Sequence, residues 1–295
     1  MGTLSEPNQS QVGSAWSLFR ELWSKGNLLC VGLDPSLELL PNKFQALGSL
    51  EDALFSFNRE IVDATNDLVC SYKPNSAFYE QYGDAGLRVL AKTIRYINDR
   101  YPAIPVILDA KRADIGSTTE AYAHAAFDVL GANAITVNPY LGKEALAPML
   151  ARQDRGILVL AKSSNPGAGE FQDLQVGDDG LPLYELIARR VAEEWNANGN
   201  CGLVIGATYP SALHKVREHV GNMPILIPGL GVQGGIIEDM VRVGLDQNRA
   251  GVIANASRSV IYASSSDSEF AQAARTEAKT LADRLRVCAM SSMDA

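Results

Sequence analysis

The sequence lacks the residues and motifs that mark several common classes of protein. Its four cysteines form no CxxC pair, so neither a disulfide framework nor a zinc site is expected. No serine stands in a GxSxG motif and no GxGxxG follows the first apolar run, which argues against a serine hydrolase and a dinucleotide-binding fold. The three histidines, His124, His214 and His219, fall in predicted helices, so histidine acid–base chemistry is not expected.

Long apolar runs and blocks of positive charge are also missing. No run approaches the roughly 18 residues that span a bilayer, and residues 1–13 contain no apolar core of a signal peptide. The net charge is −8 and basic residues are scattered, so we expect no nucleic-acid partner. We therefore expect a cytoplasmic protein with no membrane partner, in which 1–13 form a flexible tail and 14–295 a single domain.

The sequence instead contains a regular alternation of short apolar runs and amphipathic segments. The apolar runs are typical of parallel strands buried on both faces, and they lie at 28–33, 68–73, 104–109, 134–138, 157–161, 202–207, 225–229 and 251–255. Helices are predicted at 14–25, 50–66, 85–99, 118–130, 183–196, 236–243 and 269–287. Eight strands alternating with helices in about 250 residues favour an α/β (β/α)8 TIM barrel with an extra N-terminal helix. A doubly wound open sheet is the alternative, because local patterns do not show closure.

Charged residues follow the first three predicted strands. Asp34 follows the first strand and Lys73 ends the second. Asp109 and Lys111 follow the third, two residues apart, so regular alternation would point both side chains to one side. Asp114 comes next, on the following loop. Because the C-terminal ends of barrel strands converge on one mouth, these groups predict a functional site there. A structural ion pair is the alternative.

The opposite side of the mouth carries glycine-rich loops. The seventh strand runs into 228–235 and the eighth into 255–259, where barrels often bind phosphate through backbone N–H groups. Arg258 could add a bidentate guanidinium there. The longest irregular stretch, 163–180, follows the fifth strand at the same end of the barrel. A loop of this length is often functional, and a variable surface loop is the alternative.

Six stretches of the chain together resemble a known family. Asp109-Ala-Lys111-Arg-Ala-Asp114 fits the Asp-x-Lys-x-x-Asp signature of the orotidine 5′-phosphate decarboxylase superfamily. The chain is most similar to the longer bacterial subfamily. The signature alone is shared with sugar-phosphate relatives, whereas the full set in order is much more specific. The supporting stretches are 31–36, 73–80, 164–167, 228–235 and 257–259.

The resemblance implies a cofactor-free decarboxylation of orotidine 5′-phosphate to UMP and CO2, in pyrimidine synthesis. It implies that Lys111 protonates C6, that Asp109 lies against the substrate carboxylate, and that Lys73 completes the charged network with Asp114. A homodimer is also implied, with Asp114 contributed across the interface. The implied substrate-binding residues are Asp34 and Thr118 for the ribose, Ser164 for the pyrimidine, and Gln233 and Arg258 for the phosphate.

Three other functions fit parts of the same pattern. A sugar-phosphate decarboxylase or aldolase of the same superfamily would share the signature and would depend on a metal. A Schiff-base aldolase could use Lys73 or Lys111. A barrel that only binds nucleotide phosphates would need the glycine-rich loops but not the alternating buried charges.

Overall fold

The computed structural model describes residues 14–230 and 236–290, so the predicted tail at 1–13 lies outside the described residues. Its main sheet consists of β1 (Leu29–Gly32), β2 (Ser71–Lys73), β3 (Ile107–Arg112), β4 (Ala134–Val137), β5 (Gly156–Lys162), β6 (Cys201–Ile205), β7 (Ile225–Pro228) and β8 (Val252–Ala256). The strands are parallel, in the order β2-β1-β8-β7-β6-β5-β4-β3. Parallel bridges from Tyr72 to Val106 and from Asn75 to Asp109 join the edge strands β2 and β3. The sheet is therefore a nearly closed barrel, which confirms the predicted (β/α)8 fold over the open sheet.

Helices surround the barrel and connect successive strands. They are α1 (Ser17–Ser24), α2 (Asn42–Gln45), α3 (Leu50–Thr65), α4 (Ala77–Glu80), α5 (Gly83–Arg100), α6 (Gly116–Ala123), α7 (Gly142–Leu150), α8 (Gly169–Gln172), α9 (Leu183–Arg190), α10 (Pro210–Val220), α11 (Ile236–Gly244), α12 (Arg258–Ile261) and α13 (Phe270–Met290). The π-helical segments His124–Val129 and Val191–Trp195 continue α6 and α9. Each predicted helix is present within a few residues of its expected ends, and the histidines lie on helical segments as expected.

The extra N-terminal helix α1 closes the bottom of the barrel. Its aromatic side chains stack along one face, with ring centroids of Trp16 and Phe19 5.4 Å apart and those of Phe19 and Trp23 5.8 Å apart. The Trp16 ring lies on Gly156, the first residue of β5, where an added Cβ would come within 2.7 Å of the indole. The helix ends at the predicted glycine: Gly26 has φ +78° and its amide bonds to the Trp23 carbonyl. The open mouth is therefore at the opposite end.

The segment after β5 is more regular than the sequence indicated. Within 163–180 the chain forms a 3-10 turn at Pro166–Ala168 and then α8. A short antiparallel hairpin follows, in which Gln175–Val176 pairs with Leu181–Pro182. The prediction of an irregular stretch was therefore wrong in part. Two of its glycines, Gly177 and Gly180, lie in the hairpin turn and have φ of +73° and +60°.

The cysteines behave as small apolar side chains, as their apolar surroundings in the sequence predict. All four are buried and free. Burial raises the pKa of the Cys30 thiol to about 12, so this group stays neutral and donates a hydrogen bond to Asn255 Oδ1 at 3.4 Å.

Among the helices that the structure describes, none is long and apolar enough to cross a bilayer.

Candidate active site

A carboxylate held between two lysines lies at the C-terminal end of β2 and β3. Asp109 Oδ2 is 2.8 Å from Lys73 Nζ, and Asp109 Oδ1 is 2.7 Å from Lys111 Nζ. The Thr136 hydroxyl, on β4, donates a further hydrogen bond to Oδ1 at 2.8 Å. The side chain of Lys73 is 4% exposed and that of Lys111 is 43% exposed. Of these two lysines, Lys111 is therefore the one whose side chain is accessible to a molecule that enters the mouth.

An irregularity in β3 brings Lys111 to Asp109. The pairing of β3 with β4 shifts register between Leu108 and Arg112, and Lys111 has φ +47° in the left-handed region. The amides of Ala110 and Lys111 both donate to the Thr136 hydroxyl, at 3.0 and 2.9 Å. The expected meeting of the two side chains occurs, but regular strand alternation was the wrong reason. The left-handed backbone costs a non-glycine residue about 1 kcal/mol, a strain typical of functional sites.

The buried carboxylate of Asp109 and the buried ammonium of Lys73 stabilise each other's charged forms. Burial alone would raise the pKa of Asp109, but the charges of Lys73 and Lys111 outweigh it and hold this pKa well below its usual range. Burial alone would lower the pKa of Lys73, but the charges of Asp109 and Asp34 hold it above its ordinary value. At neutral pH the buried pair is therefore fully ionised, with Asp109 negative and Lys73 positive.

Asp34 lies beside this cluster, in the loop after β1. Its carboxylate accepts hydrogen bonds from the Asn75 amide at 3.1 Å and from the Ser257 hydroxyl. Ser257 can approach Asp34 because residue 32 is a glycine. An added Cβ at Gly32 would lie only 2.7 Å from the serine side chain. Tyr262 Oη accepts from the Ser36 amide at 2.6 Å and so holds the loop from the far side. The arrangement fixes a carboxylate at the mouth that can accept hydrogen bonds from hydroxyl groups.

The predicted pyrimidine and phosphate residues follow β5, β7 and β8. The backbone of Ser164 packs on Gly206, where an added Cβ would lie 2.6 Å from the serine Cα, and its Oγ faces Gly229 after β7. Arg258 begins α12 directly after β8 and is exposed. Among the described residues its guanidinium makes no hydrogen bond or ion pair. Gln233 lies outside the described residues, so its predicted role has no structural counterpart here.

Two predicted site residues stay apart from the cluster within the chain. Asp114 follows β3 on the loop, and its carboxylate accepts from the Ile115 amide at 2.7 Å. Thr118 lies exposed in the first turn of α6. Within 14–230 and 236–290, no hydrogen bond or ion pair joins either side chain to Asp109, Lys73 or Lys111. The single chain therefore assembles part of the predicted set.

Two residues near the mouth escaped prediction from the sequence. Thr136 lies inside a buried strand, where a threonine gives no signal beyond strand propensity. Lys162 ends β5 and is almost fully buried. Because the fifth strand was predicted to end at residue 161, a lysine at its true end was overlooked. Among the residues that the structure describes, no cluster of His, Cys, Asp and Glu could hold a metal ion.

A parallel (β/α)8 barrel with a carboxylate clamped between two lysines at the C-terminal ends of its strands has the architecture of a TIM-barrel enzyme. The model of the orotidine 5′-phosphate decarboxylase / HUMPS family matches residues 27–293. A protein of Thermomicrobium roseum named orotidine 5′-phosphate decarboxylase is 51% identical over 260 residues, 88% of this chain and 90% of that protein. One of the same name from Cellvibrio japonicus is 47% identical over 264 residues, 90% of this chain and 94% of that protein. The solved structure of Leishmania donovani OMP decarboxylase has a TM-score of 0.82 at 35% identity, covering 95% of this chain and 100% of that one.

The chain therefore belongs to the orotidine 5′-phosphate decarboxylase / HUMPS family. This confirms the resemblance stated from the sequence motifs. The predicted class of enzyme, a carboxy-lyase of pyrimidine synthesis, is confirmed as well, because relatives named orotidine 5′-phosphate decarboxylase align with this chain over most of their length. The roles of individual residues stay predictions.

Proposed function

We propose that the cluster of Asp109, Lys73 and Lys111 is where this chain decarboxylates orotidine 5′-phosphate to UMP and CO2. The observation that carries the proposal is the unequal exposure of two lysines that share one carboxylate. A buried lysine fixes the charge of Asp109, and a half-exposed lysine presents an ammonium to the substrate. A structural ion pair would not need the second lysine on a strained, left-handed backbone.

The proposed reaction uses the lysine as an acid. The bond from C6 to the carboxylate breaks, and its electron pair stays on C6 as CO2 leaves. Lys111 stabilises this developing negative charge and gives its proton to C6; the neutral amine then takes a proton from water. Asp109 would repel the substrate carboxylate by about 4 kcal/mol at 4 Å and an effective dielectric of 20. Since enzymes lower barriers by about 8–23 kcal/mol, stabilisation of the carbanion must supply most of the effect.

The remaining predicted residues would bind the nucleotide around this centre. Asp34, held by the Asn75 amide and the Ser257 hydroxyl, would accept hydrogen bonds from the ribose. Ser164 would contact the pyrimidine, while Gln233 and Arg258 would hold the phosphate. The exposure of Arg258 after β8 supports the phosphate role, because a guanidinium can make bidentate contacts with phosphate oxygens. Binding energy from the remote phosphate would then orient the base.

A homodimer would complete the site with Asp114. Asp114 and Thr118 flank an exposed turn that also presents Ile115 to solvent. Large apolar side chains are exposed after the neighbouring strands as well, notably Tyr140 and Phe171, which line one cavity of about 690 Å³. Apolar surface of this kind beside a charged loop supports a subunit interface at the mouth. A two-fold interface would carry both Asp114 and Thr118 into the partner's site.

A turnover assay with labelled substrate tests the proposal. Purified protein is given orotidine 5′-phosphate labelled in the carboxylate, with a chelator present, and released CO2 is measured together with UMP. We expect turnover without added metal. Loss of activity with the chelator would favour the sugar-phosphate relatives, and borohydride trapping of an adduct would favour a Schiff-base aldolase. Tight UMP binding by folded protein without any turnover would indicate a binding barrel. A cytoplasmic location is part of the same proposal.

A further inference from the structure

Lys162 is a buried lysine that the proposed reaction does not use. It ends β5, and its side chain is 2% exposed. Its ammonium forms an ion pair with Asp173, which follows α8. It also lies 4.5 Å from the ring centroid of Tyr184, on α9, and 4.4 Å from that of Tyr209, before α10. A buried ammonium is costly unless it is paired, and here the Asp173 carboxylate and the faces of the two rings offset that cost.

Contacts of Lys162 and of the next residue, Ser163, tie both ends of one segment to β5. Next to Lys162, the Ser163 amide donates to Gln172 Oε1 at 2.9 Å, and Gln172 Nε2 donates to the Ser163 hydroxyl at 2.9 Å. Asp173 then returns to Lys162. Residues 163–173 therefore form a loop closed at its base, which we call the tethered segment. Ser164, the predicted pyrimidine contact, lies inside it.

The two partners of the ion pair differ in burial, and this difference indicates what the pair contributes. Lys162 is almost fully buried, whereas the carboxylate side chain of Asp173 is 49% exposed. An apolar side chain of similar length would fill a site between two rings without desolvating a charge, and such replacements are often neutral or stabilising. Stability alone therefore does not account for a lysine here. What the lysine adds is a directional contact that holds Asp173, and with it the end of the tethered segment.

We propose that Lys162 is a positioning residue that holds the tethered segment, and so Ser164, at the mouth. It acts through Asp173 and the rings of Tyr184 and Tyr209, and it does not touch the substrate. The proposal rests on the proposed function at one point, the contact of Ser164 with the pyrimidine. The position of the segment itself does not depend on that contact.

Lys162→Met is the main test, with hydrogen exchange and kinetics as two separate readouts. We expect backbone amides of the tethered segment to exchange at least about tenfold faster, with exchange in α3 and α5 unchanged. We expect kcat/KM for orotidine 5′-phosphate to fall between about tenfold and a hundredfold, because small displacements of positioning groups have effects of that size. Unchanged exchange in the tethered segment would overturn the proposal. Faster exchange with kcat/KM within about twofold of wild type would refute the effect on the reaction through Ser164.

Arg189→Met is the matched control. Arg189 Nη1 pairs with Asp179 Oδ2 at 2.8 Å, so this variant also removes an ion pair that anchors the chain after β5, but beyond the tethered segment. We expect wild-type exchange and kinetics from it. Asp173→Ala breaks the Lys162 pair from its exposed side and serves if Lys162→Met does not fold. It should release the tethered segment in the same way, and wild-type exchange in a folded Asp173→Ala variant would count against the proposal.

Ser164→Ala separates this inference from the proposed function. If Lys162 acts through Ser164, the double variant Lys162→Met/Ser164→Ala should lose much less kcat/KM than the product of the two single losses. Fully multiplicative losses would refute that route. If Ser164→Ala has wild-type kinetics, the pyrimidine contact is wrong, yet faster exchange in Lys162→Met would still support Lys162 as the residue that holds the tethered segment.

Discussion

Replacing Lys111 with alanine should nearly abolish turnover while leaving the fold intact. The variant removes both the proposed proton donor and the positive charge next to C6. General acid catalysis contributes about 10²–10⁴ in rate, and one preorganised electrostatic contact contributes about 10²–10³. Together these effects predict a fall in kcat of at least about ten-thousandfold.

The same substitution should cost little stability. The Lys111 side chain is 43% exposed, and a pair of that kind contributes about 0–1 kcal/mol. Asp109 keeps its contacts with Lys73 and with the Thr136 hydroxyl, so its charge stays compensated. The free energy of unfolding in urea should therefore stay within about 1 kcal/mol of wild type.

Lys92→Ala is the matched control for this experiment. Lys92 is similarly exposed, at 49%, and also pairs with a carboxylate, Glu51, at 3.0 Å, but on the outer surface between α3 and α5. CO2 release from labelled substrate should match wild type in Lys92→Ala and be nearly absent in Lys111→Ala. A folded Lys111→Ala protein that retains kcat within about tenfold of wild type would refute the role of Lys111 as proton donor.

Three further predictions concern the rest of the network. Lys73→Met should lower the free energy of unfolding by about 3 kcal/mol in a urea titration, because it leaves the buried Asp109 with only its half-exposed partner. Because the pKa of Asp109 is lowered in the fold, its stabilising effect should be complete above about pH 4 and lost as the pH falls further. Asp109→Asn should accordingly have a lower free energy of unfolding than wild type at neutral pH, and the difference between the two proteins should decrease as the pH falls. A difference that stays constant with pH would contradict this prediction. Mixing inactive Lys111→Ala and Asp114→Asn proteins should restore about a quarter of wild-type activity, since half of the dimers would carry one intact site. No recovery after subunit exchange would exclude a shared site.

The sequence predicted the barrel well because its strands are buried on both faces. A strand of this kind is a continuous apolar run, and that signal needs no knowledge of distant residues. The same locality placed Asp34, Lys73, Asp109 and Lys111, since a charged residue at the end of an apolar run is visible in the chain itself. Family membership followed from the order of these motifs.

Features that depend on neighbouring strands could not be predicted. The bulge in β3 has no glycine to mark it, and Lys111 adopts its left-handed backbone because the Thr136 hydroxyl on β4 binds two adjacent amides. Lys162 was not predicted to belong to β5. An apolar run shows where the apolar side chains of a strand end, but not where its hydrogen bonding to the neighbouring strands ends. The single chain does not bring Asp114 to the cluster, and whether a second copy does so is a property of the assembly.

The helix that closes the bottom of the barrel also decides what tryptophan fluorescence reports. Trp16 and Trp23 belong to that closure, and Trp195 ends the π-helical segment that leads into β6, so all three tryptophans lie at the end opposite the mouth. All three are buried. Their emission should therefore follow global unfolding and change little when a nucleotide enters the site. A spectroscopic unfolding curve and a binding titration thus observe opposite ends of one barrel, so the stability and ligand affinity of each variant can be measured independently.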